Sequence, residues 1–136
     1  MDKPRIPVIT SVEERPREGE DTAFKGDFTW FSLLDAKITP TEGLTVGIAE
    51  LRPGDASSAH WHSHPELYYF LAGHGTMEID HRPHKVKPGT TVFVPGDALH
   101  TVKNEAGETM KILYAFAANS LSEVEYKFPD GTTERF

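Results

Sequence analysis

Apolar runs in this chain end early, and nearly always at a glycine or a proline. The runs are FTWFSLL (28–34), LTVGIAEL (44–51), ELYYFLA (66–72), TMEID (76–80), TTVFVP (90–95) and MKILYAFAA (110–118). Between them stand Pro40 and Gly43, Pro53 and Gly54, Gly73 and Gly75, Pro83, Pro88 and Gly89, Pro95 and Gly96, and Gly107. Proline removes a helix hydrogen bond and glycine costs conformational entropy inside any regular element, so this spacing leaves no room for long helices. Short runs split this way predict an all-β sandwich or barrel. One helical turn is expected in SLSEVEY (120–126), where Ser120 can cap and Glu123 follows three residues on. The charged stretch 11–27 reads as an irregular arm or long loop. No repeat, low-complexity tract or second domain is visible in the 136 residues, enough for one domain with a real core. The expected division is an N-terminal arm (1–27), a barrel core (28–118) and a C-terminal tail (119–136).

Composition narrows the chemistry. A formal charge of −7 argues against nucleic acid or an anionic membrane as partner. With no cysteine, thiolate metal sites, disulfides and cysteine nucleophiles are excluded, so any metal must be held by nitrogen and oxygen. MDKPRIPVIT lacks the apolar run of a signal peptide and no span is long enough to cross a membrane, so a cytoplasmic protein is expected.

The segment HWHSHPE (60–66) packs three histidines and a glutamate into seven residues. Side chains alternate along a strand, so His60, His62 and His64 would share a face if the stretch stays extended. A tight turn at Ser63–Pro65 would start a neighbouring strand at Glu66, whose carboxylate could enter the same space. Tyr68 and Phe70 would follow on that face. The outstanding fourth group is His100, in PGDALHTVKN. Three neutral imidazoles and one carboxylate suit a single divalent Fe, Mn, Ni, Co or Zn ion, with two positions left open for water or substrate. His64, in the turn beside Pro65, is expected at the rim. His74, His81 and His84 lie in or near hairpin turns and are expected in solvent. Trp61 should face away from the metal.

Gly54, His60, His62, Glu66 and Gly73 follow the order G-x5-H-x-H-x3-E-x6-G, and Gly89, Pro95, Asp97, His100 and Asn104 follow G-x5-P-x-D-x2-H-x3-N. These resemble the two motifs of the cupin superfamily, with one departure: Asp97 where the second motif usually has glycine. The resemblance implies a single-domain jelly-roll barrel with its metal inside, held by His60, His62, Glu66 and His100. EGLTVGIAELRPG (42–54), ELYY after the ligand run and the tail LSEVEYKFP (121–129) further resemble the small cupin dimethylsulfoniopropionate (DMSP) lyases. That likeness implies β-elimination to acrylate and dimethyl sulfide, with Tyr68 as the base and Tyr126 as a second site tyrosine. Small cupins of this kind also imply a homodimer.

The chemistry is coherent. Such a site would carry a charge of about +1 and attract a small carboxylate substrate; a nearby tyrosinate could then take the adjacent proton. Trp30, Phe31, Tyr69, Tyr114 and Phe116 are candidate aromatic walls for a sulfonium. The same ligands also suit an Fe(II) or Mn(II) dioxygenase, an isomerase or cyclase, or a non-catalytic small-molecule-binding cupin.

Overall fold

The computed structural model describes residues 5–20 and 28–136. The described residues form ten strands: β1 (Thr29–Leu34), β2 (Thr45–Leu51), β3 (Glu66–Ala72), β4 (Gly75–Ile79), β5 (Arg82–Val86), β6 (Thr91–Val94), β7 (His100–Asn104), β8 (Met110–Phe116), β9 (Tyr126–Lys127) and β10 (Thr133–Glu134). The fold is all-β, as the punctuation predicts, and a jelly-roll barrel, as the motif resemblance implies. The expected turn at 120–126 is a 3-10 turn, Leu121–Glu123; Ser120 accepts from Ser122 N and the Glu123 carboxylate accepts from Asn119 N at 3.0 Å. Of the stretch 11–27, residues 21–27 lie outside the described residues. The rest holds a short 3-10 turn at Val12–Glu14 and a single bridge from Glu18 to Trp30.

One sheet runs β1-β2-β8-β3-β6, all neighbours antiparallel. Its inner face is ordered in rungs. Thr45, Phe116, Glu66 and Val94 stand side by side; so do Ser32, Gly47, Tyr114, Tyr68 and Val92; so do Trp30, Ala49, Ile112 and Phe70. β3 alternates strictly, with Glu66, Tyr68 and Phe70 buried and Leu67, Tyr69 and Leu71 exposed. Burying a side chain such as Phe70 or Phe116 is worth roughly 2–3 kcal/mol, which fixes the register, because a one-residue slip would turn that whole row outward.

The facing sheet is built in pieces. β5-β4-β7 form one part and β9-β10 another. Residues 60 and 61 stitch them together: His60 bridges His100 of β7, and Trp61 bridges Lys127 of β9. The segment 60–61 therefore takes part in a pair of single bridges and in no longer strand. Asn104 closes this region. Fully buried, it donates from Nδ2 to the carbonyls of Leu51 and Glu108 and accepts from Ala106 N through Oδ1. Those bonds pin the end of β7 to β2 and to the loop before β8.

Candidate metal centre and its pocket

His60, His62, Glu66 and His100 are all buried, at 1–6 % exposure. They come from three places: the stitched segment, the start of β3 and the start of β7. Each imidazole is aimed by a backbone carbonyl. His60 Nδ1 lies 2.7 Å from Ser58 O, His62 Nδ1 2.7 Å from His64 O and His100 Nδ1 2.8 Å from Ala98 O. A carbonyl can only accept, so each Nδ1 carries a proton, and Nε2 is the ring atom left to coordinate a metal when the ring is neutral. Atoms of these three rings lie within 4.8 Å of one another. The Glu66 carboxylate lies 3.2 Å from His62 Nε2 and 3.6 Å from His100 Nε2.

Electrostatics follows from burial. Desolvation, reinforced by the neighbouring His100, lowers the His60 pKa to about 3, so this ring is neutral at ordinary pH. Burial alone would raise the Glu66 carboxyl, but His100 and His62 outweigh it and hold it below the usual glutamate value. His62 Nε2 and the Glu66 carboxylate stand within hydrogen-bonding distance, with His100 beside them. His100 Nε2 is buried without a hydrogen-bond partner. A divalent cation fits this donor set, and nitrogen with oxygen suits borderline transition ions.

Beside the centre lies a cavity of about 50 Å³ lined by His60, Glu66, Tyr68 and Tyr126 at one end, with Phe28, Trp30, Ala49, Ile112, Tyr114, Leu121 and Phe136 around the rest. Among the described residues, no lysine or arginine lines it. Burial, followed by the negative charge of Glu66, pushes the hydroxyls of Tyr68 and Tyr126 well above the usual tyrosine value. The Tyr126 ring stands 5.3 Å from the rings of both His60 and His62.

Of the aromatic walls expected from sequence, Trp30 and Tyr114 line the cavity. Phe31 and Tyr69 sit on the outer face of the sheet, and Phe116 packs on His62 at 5.3 Å. Phe28, the first residue of the aromatic run FTWF, and Phe136, which no motif flagged, complete the wall; Phe136 stacks edge-on with Trp30 at 5.0 Å and Tyr126 at 5.3 Å. His64 stands outside the group of three rings and contributes its carbonyl to His62. His74, His81 and His84 are exposed, and Trp61 is half-buried. Asp97 adopts φ 65, the left-handed conformation for which glycine is the natural occupant, and its N–H donates to His62 O at 2.8 Å. Preceding it, Gly96 passes so close to Ser63 that a Cβ would meet that carbonyl at 2.5 Å.

The family model described as Cupin domain matches residues 47–116. Dimethylsulfoniopropionate lyase DddW of Ruegeria pomeroyi is 33% identical over 126 residues, covering 92% of this chain and 82% of that protein. Among solved structures, the polyketide cyclase RemF from Streptomyces resistomycificus superposes with a TM-score of 0.71 at 19% identity, covering 82% of this chain and 79% of that one. A predicted oxalate decarboxylase from Thermotoga maritima gives 0.69 at 20% identity, covering 82% and 99%. Among the described residues, no helix is long and apolar enough to cross a membrane.

Proposed function

This chain belongs to the cupin family, and on that footing we propose that it is a cytoplasmic, homodimeric, metal-dependent lyase that cleaves DMSP or a close analogue by β-elimination. His60, His62, Glu66 and His100 would hold one divalent transition ion, Fe, Mn, Ni, Co or Zn. Bound there, the ion supplies Lewis-acid polarisation of a substrate carboxylate, which acidifies the adjacent C–H.

The remaining work falls to the chain. Among the described residues the cavity wall carries no cationic side chain to hold a carboxylate, while Trp30, Tyr114, Phe28 and Phe136 offer π faces to a sulfonium. Tyr68, as the base, takes the proton from the carbon next to the carboxylate onto its phenolate oxygen. That C–H electron pair becomes the new C=C bond, and the C–S pair leaves with dimethyl sulfide, giving acrylate. Position supports this role: Tyr68 follows Glu66 on the inner face of β3 and shares the cavity with it. The charge of the bound ion would oppose the burial that now raises its hydroxyl. Tyr126, at the same end of the cavity, orients the substrate.

The observation that carries this reading is the lining of the cavity, with His60, Glu66, Tyr68 and Tyr126 at one end and aromatic faces around the rest. The homodimer is supported by the outer face of β3 and β6, where Leu67, Tyr69, Leu71 and Phe93 are exposed together, Leu67 directly beside Phe93.

The test is to incubate fully metallated protein with DMSP and to follow dimethyl sulfide, acrylate and dissolved oxygen together. Equal amounts of the two products without oxygen uptake are expected. Oxygen consumption would point instead to a dioxygenase, rearranged product to an isomerase or cyclase, and binding without turnover to a non-catalytic role.

A further inference from the structure

Two apolar clusters fill the barrel. One includes Phe70, Met77, Val102 and Ile112; the other includes Trp30, Tyr114 and Tyr126. Among the partly buried hydrophobic residues described, Ala49 alone packs against both. It stands on the inner face of β2, opposite Trp30 of β1 and Ile112 of β8, and all three line the cavity. Trp30 and Ile112 are buried, yet Ala49 between them is only partly so: the cavity opens over its methyl group.

The strand itself shows how this space arises. Inward residues of β2 run Thr45, Gly47, Ala49, Leu51, while Val46 and Ile48 point outward. Small side chains are thus confined to the middle of the inner face. At Gly47 a Cβ would collide with the hydroxyl of Tyr114, so the bare backbone lets that ring lean across the strand.

We infer that Ala49 is the specificity-determining residue of the site, setting how bulky a group the substrate can carry at the end remote from His60 and Glu66. The inference rests on the reading above in taking the carboxylate to lie at the His60–Glu66 end. A leucine at 49 would add three carbon atoms to a cavity of about 50 Å³. A valine would add two. Ala49 stands two inward rows along the sheet from Glu66, with the Tyr68 row between them, so metal content and the binding of the smallest acids should persist.

The experiment is titration calorimetry on metal-loaded wild type, Ala49→Ser, Ala49→Val and Ala49→Leu with acetate, acrylate, valerate and DMSP. Metal content and circular dichroism are measured on each sample. Acetate and acrylate should bind all four proteins within about twofold. Valerate and DMSP should lose at least tenfold in Ala49→Leu, less in Ala49→Val and almost nothing in the near-isosteric Ala49→Ser. If Ala49→Leu binds the whole series like wild type, or loses acetate in the same proportion as valerate at full metal content, the inference is overturned. A wild type that binds valerate but not DMSP would reject the sulfonium substrate, and the cut between acetate and valerate would still support Ala49.

Discussion

His60 and His100 face each other across a single antiparallel rung, each donating its backbone N–H to the other's carbonyl, at 3.1 and 2.9 Å, with their rings 4.3 Å apart. Forty residues of chain separate them, so this rung lets the two halves of the sequence pattern meet as one cluster. Chemistry at the centre therefore depends on backbone register as much as on side-chain identity.

Purified protein is expected to carry about one divalent transition metal per chain, measured by elemental analysis. His100→Ala removes one of the three clustered imidazoles and should lower metal affinity at least 100-fold. His64→Ala should change it far less, since His64 meets His62 through its carbonyl, which the substitution retains.

Acid should destabilise the chelator-treated protein in a way traceable to His60. Its pKa is about 3 in the fold against 6.5 for an unperturbed histidine, so the unfolded chain binds the proton first. Stability is then at its full value above pH 6.5 and falls by as much as ~1.4 kcal/mol per pH unit below it, toward pH 3. Glu66, held below its usual value, adds loss in the same direction as the pH falls through the carboxylate range. Urea midpoints at pH 8, 6.5 and 5 check this; His60→Gln should flatten the slope between pH 6.5 and 5.

Tyr68→Phe removes a hydroxyl and leaves the ring in its row beside Tyr114. Metal occupancy should be unchanged, while dimethyl sulfide release at equal metal loading drops at least 100-fold, about the worth of a positioned base. Tyr126→Phe should cost less. Equal release from wild type and Tyr68→Phe would remove that residue from the mechanism.

The turn before β7 makes a stability prediction with two signs. Asp97 pays for a left-handed backbone that glycine adopts freely, so Asp97→Gly should stabilise by about 0.5 kcal/mol, whereas a β-branched Asp97→Val should cost ~1–2 kcal/mol. Its neighbour behaves oppositely: Gly96→Ala drives a methyl into the Ser63 carbonyl and should lower the melting temperature.

Light scattering should report a dimer at micromolar concentration. Phe93, 67% exposed, and Leu67 beside it are the residues to change. The double substitution Leu67→Arg, Phe93→Arg should give a folded monomer with its metal retained. A monomeric wild type would reject the dimer.

Much of the barrel is legible in the sequence because its strands are apolar and end at glycine or proline. β3 is the clearest instance: ELYYFLA has the observed bounds, and alternation places Tyr68 inside and Tyr69 outside. β5 escapes that reading because it is an edge strand, RPHKV, with a proline and four exposed residues, and β7 escapes because its buried row contains His100 and Asn104 in place of aliphatic residues. In β1, Trp30 and Phe31 are both large and aromatic, so only the register with β2 decides which one faces the cavity. Phe136 could not be foreseen at all, since its place depends on β10 folding back along β9.

The bridge between Trp61 and Lys127 has a consequence in time. Trp61 and Lys127 exchange both backbone hydrogen bonds, and Tyr126 and Phe128 lie against the ring of His60. On the ribosome, residues 60–66 emerge long before residue 127 does. A nascent chain that has already exposed all its imidazoles therefore still lacks one flank of the segment that carries two of them. Metal capture is accordingly expected as a late event, after this part of the chain has cleared the exit tunnel, so that the finished barrel and not the growing polypeptide selects the ion.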